Sequence, residues 1–291
     1  MTGNNEGGHR PNQRVIDLFD RYTHGGMDRR QFLEKLTVLA GSSAAALALL
    51  PALENNYAQA DLLPEGDPRI KTETIDVKGT KVYLAHPTSG DKWPAVLVIH
   101  ENRGLNPHIK DVTRRLAAEG FLAGGADFLS QAGGTPADED KAREMIGALD
   151  KAATEAAARD VVAALRARPD SNGKVGAIGF CWGGGLVNRL AVTDPTLDAG
   201  VAYYGMQPDP KDVAQIKAPL LLHYAGLDER INAGIPAYEA ALKADGKTFE
   251  LHTYDGVNHA FNNDTNTARY DKKAADLAWS RTVAFLRKSL G

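Results

Sequence analysis

A chain of 291 residues, 43% of them hydrophobic, has ample material for a large buried core. Its 34 basic and 37 acidic side chains leave a formal charge of −3, so nothing signals the clustered basic surface that a nucleic-acid partner requires. One cysteine, Cys181, excludes an intrachain disulfide and any cluster built on several thiolates.

Residues 1–26 are polar and glycine-rich apart from a short apolar patch at Val15, Ile16, Leu18 and Phe19. Asp28-Arg29-Arg30-Gln31-Phe32-Leu33 follows, then an uncharged stretch from Leu36 to Leu53 that ends near Ala58-Gln59-Ala60. Paired arginines, a moderately apolar segment and a small-x-small terminus resemble a twin-arginine export signal, which predicts a periplasmic protein. Leu36–Leu53 is borderline as a membrane span, and it is the one place where membrane contact is expected. The alternative is a cytoplasmic chain that keeps residues 1–60 as a pair of helices docked on the body. The 28 residues ahead of the arginines and the acidic Asp28 and Glu34 inside the motif favour it.

From about Ile70 short β-rich runs alternate with helical patterns. Strands are predicted at Lys81–Ala85, Ala95–His100, Phe121–Ala126, Lys174–Gly179, Gly200–Tyr204, Leu220–Tyr224 and Phe249–Tyr254. Several are continuous apolar runs, as in a sheet covered on both faces. Helices are predicted at Ile109–Glu119, Ala152–Arg168, Trp182–Val192, Pro236–Ala244 and Ala268–Lys288, and Gln131–Asp140 reads as a loop. This alternation predicts an α/β domain over residues 66–291, with a mostly parallel central sheet flanked by helices.

Cys181 sits in Gly179-Phe180-Cys181-Trp182-Gly183, between an apolar strand and a helix. This is the G-x-nucleophile-x-G pattern of a sharp strand-to-helix elbow, with cysteine at the apex. The elbow places sulfur at a helix N-terminus, where partial positive charge favours thiolate. A buried structural cysteine is the plainer reading of a lone thiol, and the elbow argues against it. No G-x-x-x-x-G-K-[ST] phosphate loop is present.

In an α/β-hydrolase fold the nucleophile, acid and base follow one another at the ends of successive strands. Asp228 follows Leu220–Tyr224 and His259 follows Phe249–Tyr254, in that order. Glu229 and Asp255 are rivals for the acid. Among the eight histidines only His259 fits the base position, since His223 and His252 fall inside strands.

With these residues placed, 66–291 resembles the dienelactone hydrolase family. The resemblance rests on His100-Glu101-Asn102-Arg103-Gly104, the elbow, and Gly256-Val257-Asn258-His259-Ala260-Phe261. It implies that Glu101 interacts with the resting thiol, and that the backbone N–H groups of Asn102 and Trp182 form an oxyanion hole. The family's two substrate-carboxylate arginines fall at Gln131 and Asn263 here, which removes that clamp unless Arg103 replaces part of it. The expected activity is hydrolysis of a small ester or lactone through a thioester, with no metal or organic cofactor. A thiol-based redox or electrophile-binding protein is the alternative.

Overall fold

The computed structural model describes residues 11–58, 60 and 62–291. Its centre is an eight-stranded sheet of order β1-β2-β4-β3-β5-β6-β7-β8. The strands are β1 (Ile70–Val77), β2 (Thr80–Pro87), β3 (Trp93–Ile99), β4 (Leu122–Asp127), β5 (Ser171–Phe180), β6 (Ala199–Tyr203), β7 (Leu220–Ala225) and β8 (Phe249–Tyr254). From β4 to β8 all pairings are parallel, while β1–β2 and β2–β4 are antiparallel. The mostly parallel sheet is therefore as expected. The edge strand β1 had no apolar run to announce it, because its exposed position lets Lys71, Glu73 and Thr74 face outward.

Helices α4 (Pro107–Ala118) and α10 (Lys272–Leu290) cover one face of the sheet. On the other face lie α6 (Lys151–Ala167), α7 (Trp182–Thr193) and α9 (Ile235–Ala244). Double coverage explains why β6 and β7 are buried at every position and needed continuous apolar sequence. Two short helices were not predicted: α5 (Glu139–Gly147), capped by Asp138, and α8 (Glu229–Asn232), capped by Asp228.

The N-terminal segment forms three helices rather than a pair: α1 (Gln13–Thr23), α2 (Arg29–Ala40) and α3 (Ser43–Leu53). A capping box between Asp28 and Gln31 starts α2, so the acid that spoils an export motif serves as a helix cap. Gly41, at φ 82°, ends α2 in the left-handed conformation, and Ser42 caps α3. Among the described residues no single helix is long and apolar enough to cross a membrane, and α2 and α3 meet at a 112° bend. Arg29 is paired with Asp140 at 2.9 Å, while Arg30 is exposed beside Glu34. The Ala58-Gln59-Ala60 reading includes Gln59, which lies outside the described residues.

This helical layer has its own core of Val15, Ile16, Phe19, Phe32, Leu36 and Leu53, closed by Ala268 of the body. Polar bonds fasten it down. Asn56 N–H donates to the Thr265 carbonyl at 2.7 Å, and Tyr22 Oη donates to Asp140 at 2.5 Å. The Arg143 and Arg269 guanidinium groups lie over the Tyr22 and Phe19 rings. Phe32 is 2% exposed and stacks on Tyr22 at 4.6 Å. Phe32→Ala should therefore cost the layer about 3–5 kcal/mol. The expected readout is faster hydrogen exchange across 13–53 with β3 and β5 unchanged; equal loosening of the sheet would contradict a separable layer.

Candidate active site

The end of β5 runs into α7 through Cys181, whose backbone sits at φ 54° and ψ −114°. A non-glycine residue held there is strained by about 1–3 kcal/mol. The flanking glycines are steric necessities. A Cβ on Gly179 would lie 2.1 Å from the Gly183 carbonyl oxygen, and one on Gly183 would lie 2.5 Å from the Ile99 carbonyl oxygen. Sulfur is thereby lifted to the N-terminus of α7 and is 8% exposed.

His259 arrives on the loop after β8 and Asp228 on the loop after β7, and both are buried. His259 Nδ1 donates to Asp228 Oδ2 at 2.5 Å. The other oxygen of Asp228 accepts from the Ile231 backbone N–H at 3.2 Å, so one carboxylate orients the imidazole and caps α8. His259 Nε2 is buried without a hydrogen-bond partner, and a ring nitrogen of His259 lies within 4.8 Å of Cys181 Sγ. The rival acids Glu229 and Asp255 are both exposed. His223 is buried between Tyr254 and Thr282, a packed strand histidine as expected.

A residue that sequence reasoning missed completes the cluster. His24 caps the C-terminus of α1 and places its Nε2 3.2 Å from Cys181 Sγ, with its ring edge-on to His259 at 4.7 Å. The Asp20 carbonyl accepts from His24 Nδ1 at 2.7 Å, and the Asp20 carboxylate lies 3.2 Å from the same nitrogen. An i,i+4 Asp–His pair on an amphipathic helix was the available signal, but only the fold reveals what it faces.

Glu101 is buried at the end of β3, where its carboxylate accepts from Asn263 Nδ2 at 2.9 Å and from Tyr204 Oη at 3.4 Å. The group hydrogen-bonded to the thiol is thus His24, where the family resemblance implied Glu101. Asn263 is committed to Glu101, and Gln131 is exposed beside the β1–β2 turn. Arg103 lines the site and forms a part-buried ion pair with Glu139 at 2.7 Å. Arg269, which sequence reasoning also missed, lines it too. Trp182 stacks on His100 and packs against Phe128, and the Asn102 side chain donates to the Thr23 carbonyl at 2.7 Å.

Burial pushes the Cys181 thiol up, but the neighbouring imidazoles of His259 and His24 outweigh it and bring the thiol down to about 6. For His259 burial acts downward, and Asp228, the thiolate and Asp20 raise it well above its ordinary value. A thiolate–imidazolium pair follows. In chelator-containing buffer, alkylation by iodoacetamide should accelerate as pH rises and reach half its maximum near pH 6, against ~8.5 for a free cysteine. A midpoint at the free-cysteine value would refute the pairing.

The free space between Thr23, His24, Glu101, Asn102, Cys181 and His259 is about 10 Å³, room for one water at most.

Comparisons with known proteins agree with this fold. The family model described as "Dienelactone hydrolase family" matches residues 80–290, and a second, described as "YqhI-like", matches residues 12–41. A "putative carboxymethylenebutenolidase" of Saccharolobus solfataricus is 34% identical over 73% of this chain and 96% of its own length. Another of the same name from Methylorubrum extorquens is 32% identical over 88% of this chain and 93% of its own. The crystal structure of a "putative dienelactone hydrolase" from Klebsiella pneumoniae superposes with a TM-score of 0.69 at 28% identity, covering 75% of this chain and 99% of that one.

Proposed function

Because this chain belongs to the dienelactone hydrolase family, we propose that its reaction runs through a Cys181–His259–Asp228 triad and a thioester acyl-enzyme. The chain is a hydrolase of carboxylic esters or lactones on an α/β-hydrolase fold. The observation that carries the triad is the 2.5 Å bond from His259 Nδ1 to Asp228, which leaves Nε2 as the nitrogen turned to the sulfur. Thiolate attacks the carbonyl carbon, and the oxyanion is met by the backbone N–H groups of Asn102 and Trp182. Trp182 is the first residue of α7, so its N–H has no acceptor within the helix. Such donors typically contribute about 3 kcal/mol each to the transition state.

The C–O bond then breaks, and the departing alkoxide takes the proton of the His259 imidazolium. In the second half a water gives its proton back to His259 and attacks the thioester, and thiolate leaves. Glu101, held by Asn263 and Tyr204, stays aside as a buried carboxylate at the oxyanion end of β3. Hydrolysis so described requires no metal or organic cofactor. With Asn263 engaged and Gln131 turned away, an acyl group without a free carboxylate is the better substrate.

An ester reaches the sulfur only when the Thr23–His24 end of α1 withdraws, since the present space has room for one water at most. The many bonds between this layer and the body support retention of the helices in the working protein rather than their loss as an export leader. One spectrum tests both points. Intact mass measurement on protein mixed briefly with an activated ester should show the chain with residues 1–60 and one added acyl group. An adduct that persists after blocking Cys181, or a mature chain starting near residue 61, would refute the corresponding reading.

A further inference from the structure

His24 turns a two-residue nucleophile–base pair into a three-donor cluster. Sγ of Cys181 and one ring nitrogen each of His24 and His259 all lie within 4.8 Å of one another, with His24 Nε2 3.2 Å from the sulfur. We propose that these three atoms form a binding site for a soft divalent cation of the zinc class, which silences the hydrolase and pins the N-terminal helical layer over its active site.

The donor chemistry selects the ion. One thiolate and two imidazoles suit Zn²⁺ and related borderline-soft ions, whereas Mg²⁺ and Ca²⁺ demand oxygen ligands. Around tetrahedral zinc, with Zn–S of about 2.3 Å and Zn–N of about 2.0–2.1 Å, donor atoms stand roughly 3.3–3.6 Å apart. The His24–Cys181 edge is 3.2 Å, and an edge at the 4.8 Å limit must close by about 1.2–1.5 Å to reach the tetrahedral spacing. The same three residues line the small void, which has room for one water at most.

Both imidazoles already hold Nδ1 in a hydrogen bond, which leaves Nε2 as the ligating nitrogen once any proton on it is released. The Asp20 carbonyl can only accept, so His24 Nδ1 carries hydrogen and Nε2 is left for the sulfur or a cation. Asp228 does the same for His259, whose Nε2 is buried and unpartnered. A ligating histidine whose other nitrogen is held by a carboxylate or carbonyl is the usual support of a zinc site. None of this machinery is needed for hydrolysis at His24, which lies on the helical extension outside the residues matched by the hydrolase family model.

Binding would take the nucleophile and the base at once and tether α1, the element an entering ester must displace. The released protons come from the His259 imidazolium and from His24 where it is protonated, and no electron changes hands.

The test uses the full-length chain, purified with chelator and reductant, and reads metal rather than turnover. Equilibrium dialysis with Zn²⁺ should give one ion per chain. Co²⁺ in its place should produce a thiolate-to-cobalt charge-transfer band that is absent in Cys181→Ala. His24→Ala should weaken Zn²⁺ binding at least tenfold, His24→Cys should restore it, and Zn²⁺ should slow hydrogen exchange in 13–24 of the native chain. Equal affinity in His24→Ala and the native chain, or cobalt binding without the thiolate band, overturns the site. Because these readouts do not involve an ester, they stand or fall independently of the triad mechanism.

Discussion

Cys181→Ala should lower kcat toward a small activated ester by about 10⁴–10⁶ while the protein stays folded. The size follows from how the parts act together: once the attacking atom is gone, imidazole and oxyanion donors retain only the residual catalysis that positioning supplies. Stability should change little, by about 0.5–1.5 kcal/mol, because one buried sulfur is removed and the backbone at φ 54° is as strained for alanine as for cysteine. The electrostatic consequence is sharper. His259 owes part of its raised proton affinity to the Cys181 thiolate, so its imidazolium should lose its proton at lower pH in the variant. Nuclear magnetic resonance titration of the His259 ring reads that shift alongside the kinetics. A variant keeping more than a tenth of the native rate would end the case for a cysteine nucleophile.

Legibility of this molecule from its sequence divides along a physical line. Gly179-Phe180-Cys181-Trp182-Gly183 was readable because the backbone there admits no Cβ on its glycines, so geometry is written directly into residue type. Buried strands such as Leu220–Ala225 were readable for the same kind of reason, since both faces are dry. Asp228 and His259 were placed by strand order, and their 2.5 Å contact joins loops that are 31 residues apart. His24 was not readable. It approaches Cys181 across 157 positions, and its own surroundings are an ordinary amphipathic helix end. Nothing local to α1 says whether its buried stripe meets a membrane, a partner or the body; that depends on Ala268, Thr265 and Asp140, far along the chain. Glu101 was singled out only for an interaction with the thiol; its observed contacts depend on Asn263, whose departure from the family's arginine gave no hint that it would hold that carboxylate.

Asp228→Asn should reduce kcat about 10³–10⁴-fold with only a small change in Tm, and the reason lies in counting acceptors. The native carboxylate serves two donors, Ile231 N–H on one oxygen and His259 Nδ1–H on the other. An asparagine has one carbonyl oxygen and one NH₂. If the oxygen keeps the α8 cap, the amide N–H groups face Nδ1, which must then accept; the ring proton moves to Nε2, and the imidazole can no longer take a proton there. In serine-hydrolase triads that tautomer switch costs about 10⁴ in kcat. If the amide flips, the tautomer survives and the cap is lost at about 1 kcal/mol. Either arrangement loses the anion, and with it the strongest influence raising His259, so Cys181 should need a higher pH to ionise. Asp20 also favours the charged form of His259 and should soften that loss, which makes Asp20→Asn/Asp228→Asn the informative double variant. Iodoacetamide alkylation should show its midpoint moving upward in Asp228→Asn and further in the double variant. An unchanged midpoint together with unchanged kcat would mean that Asp228 only caps α8, and the triad assignment would fail there.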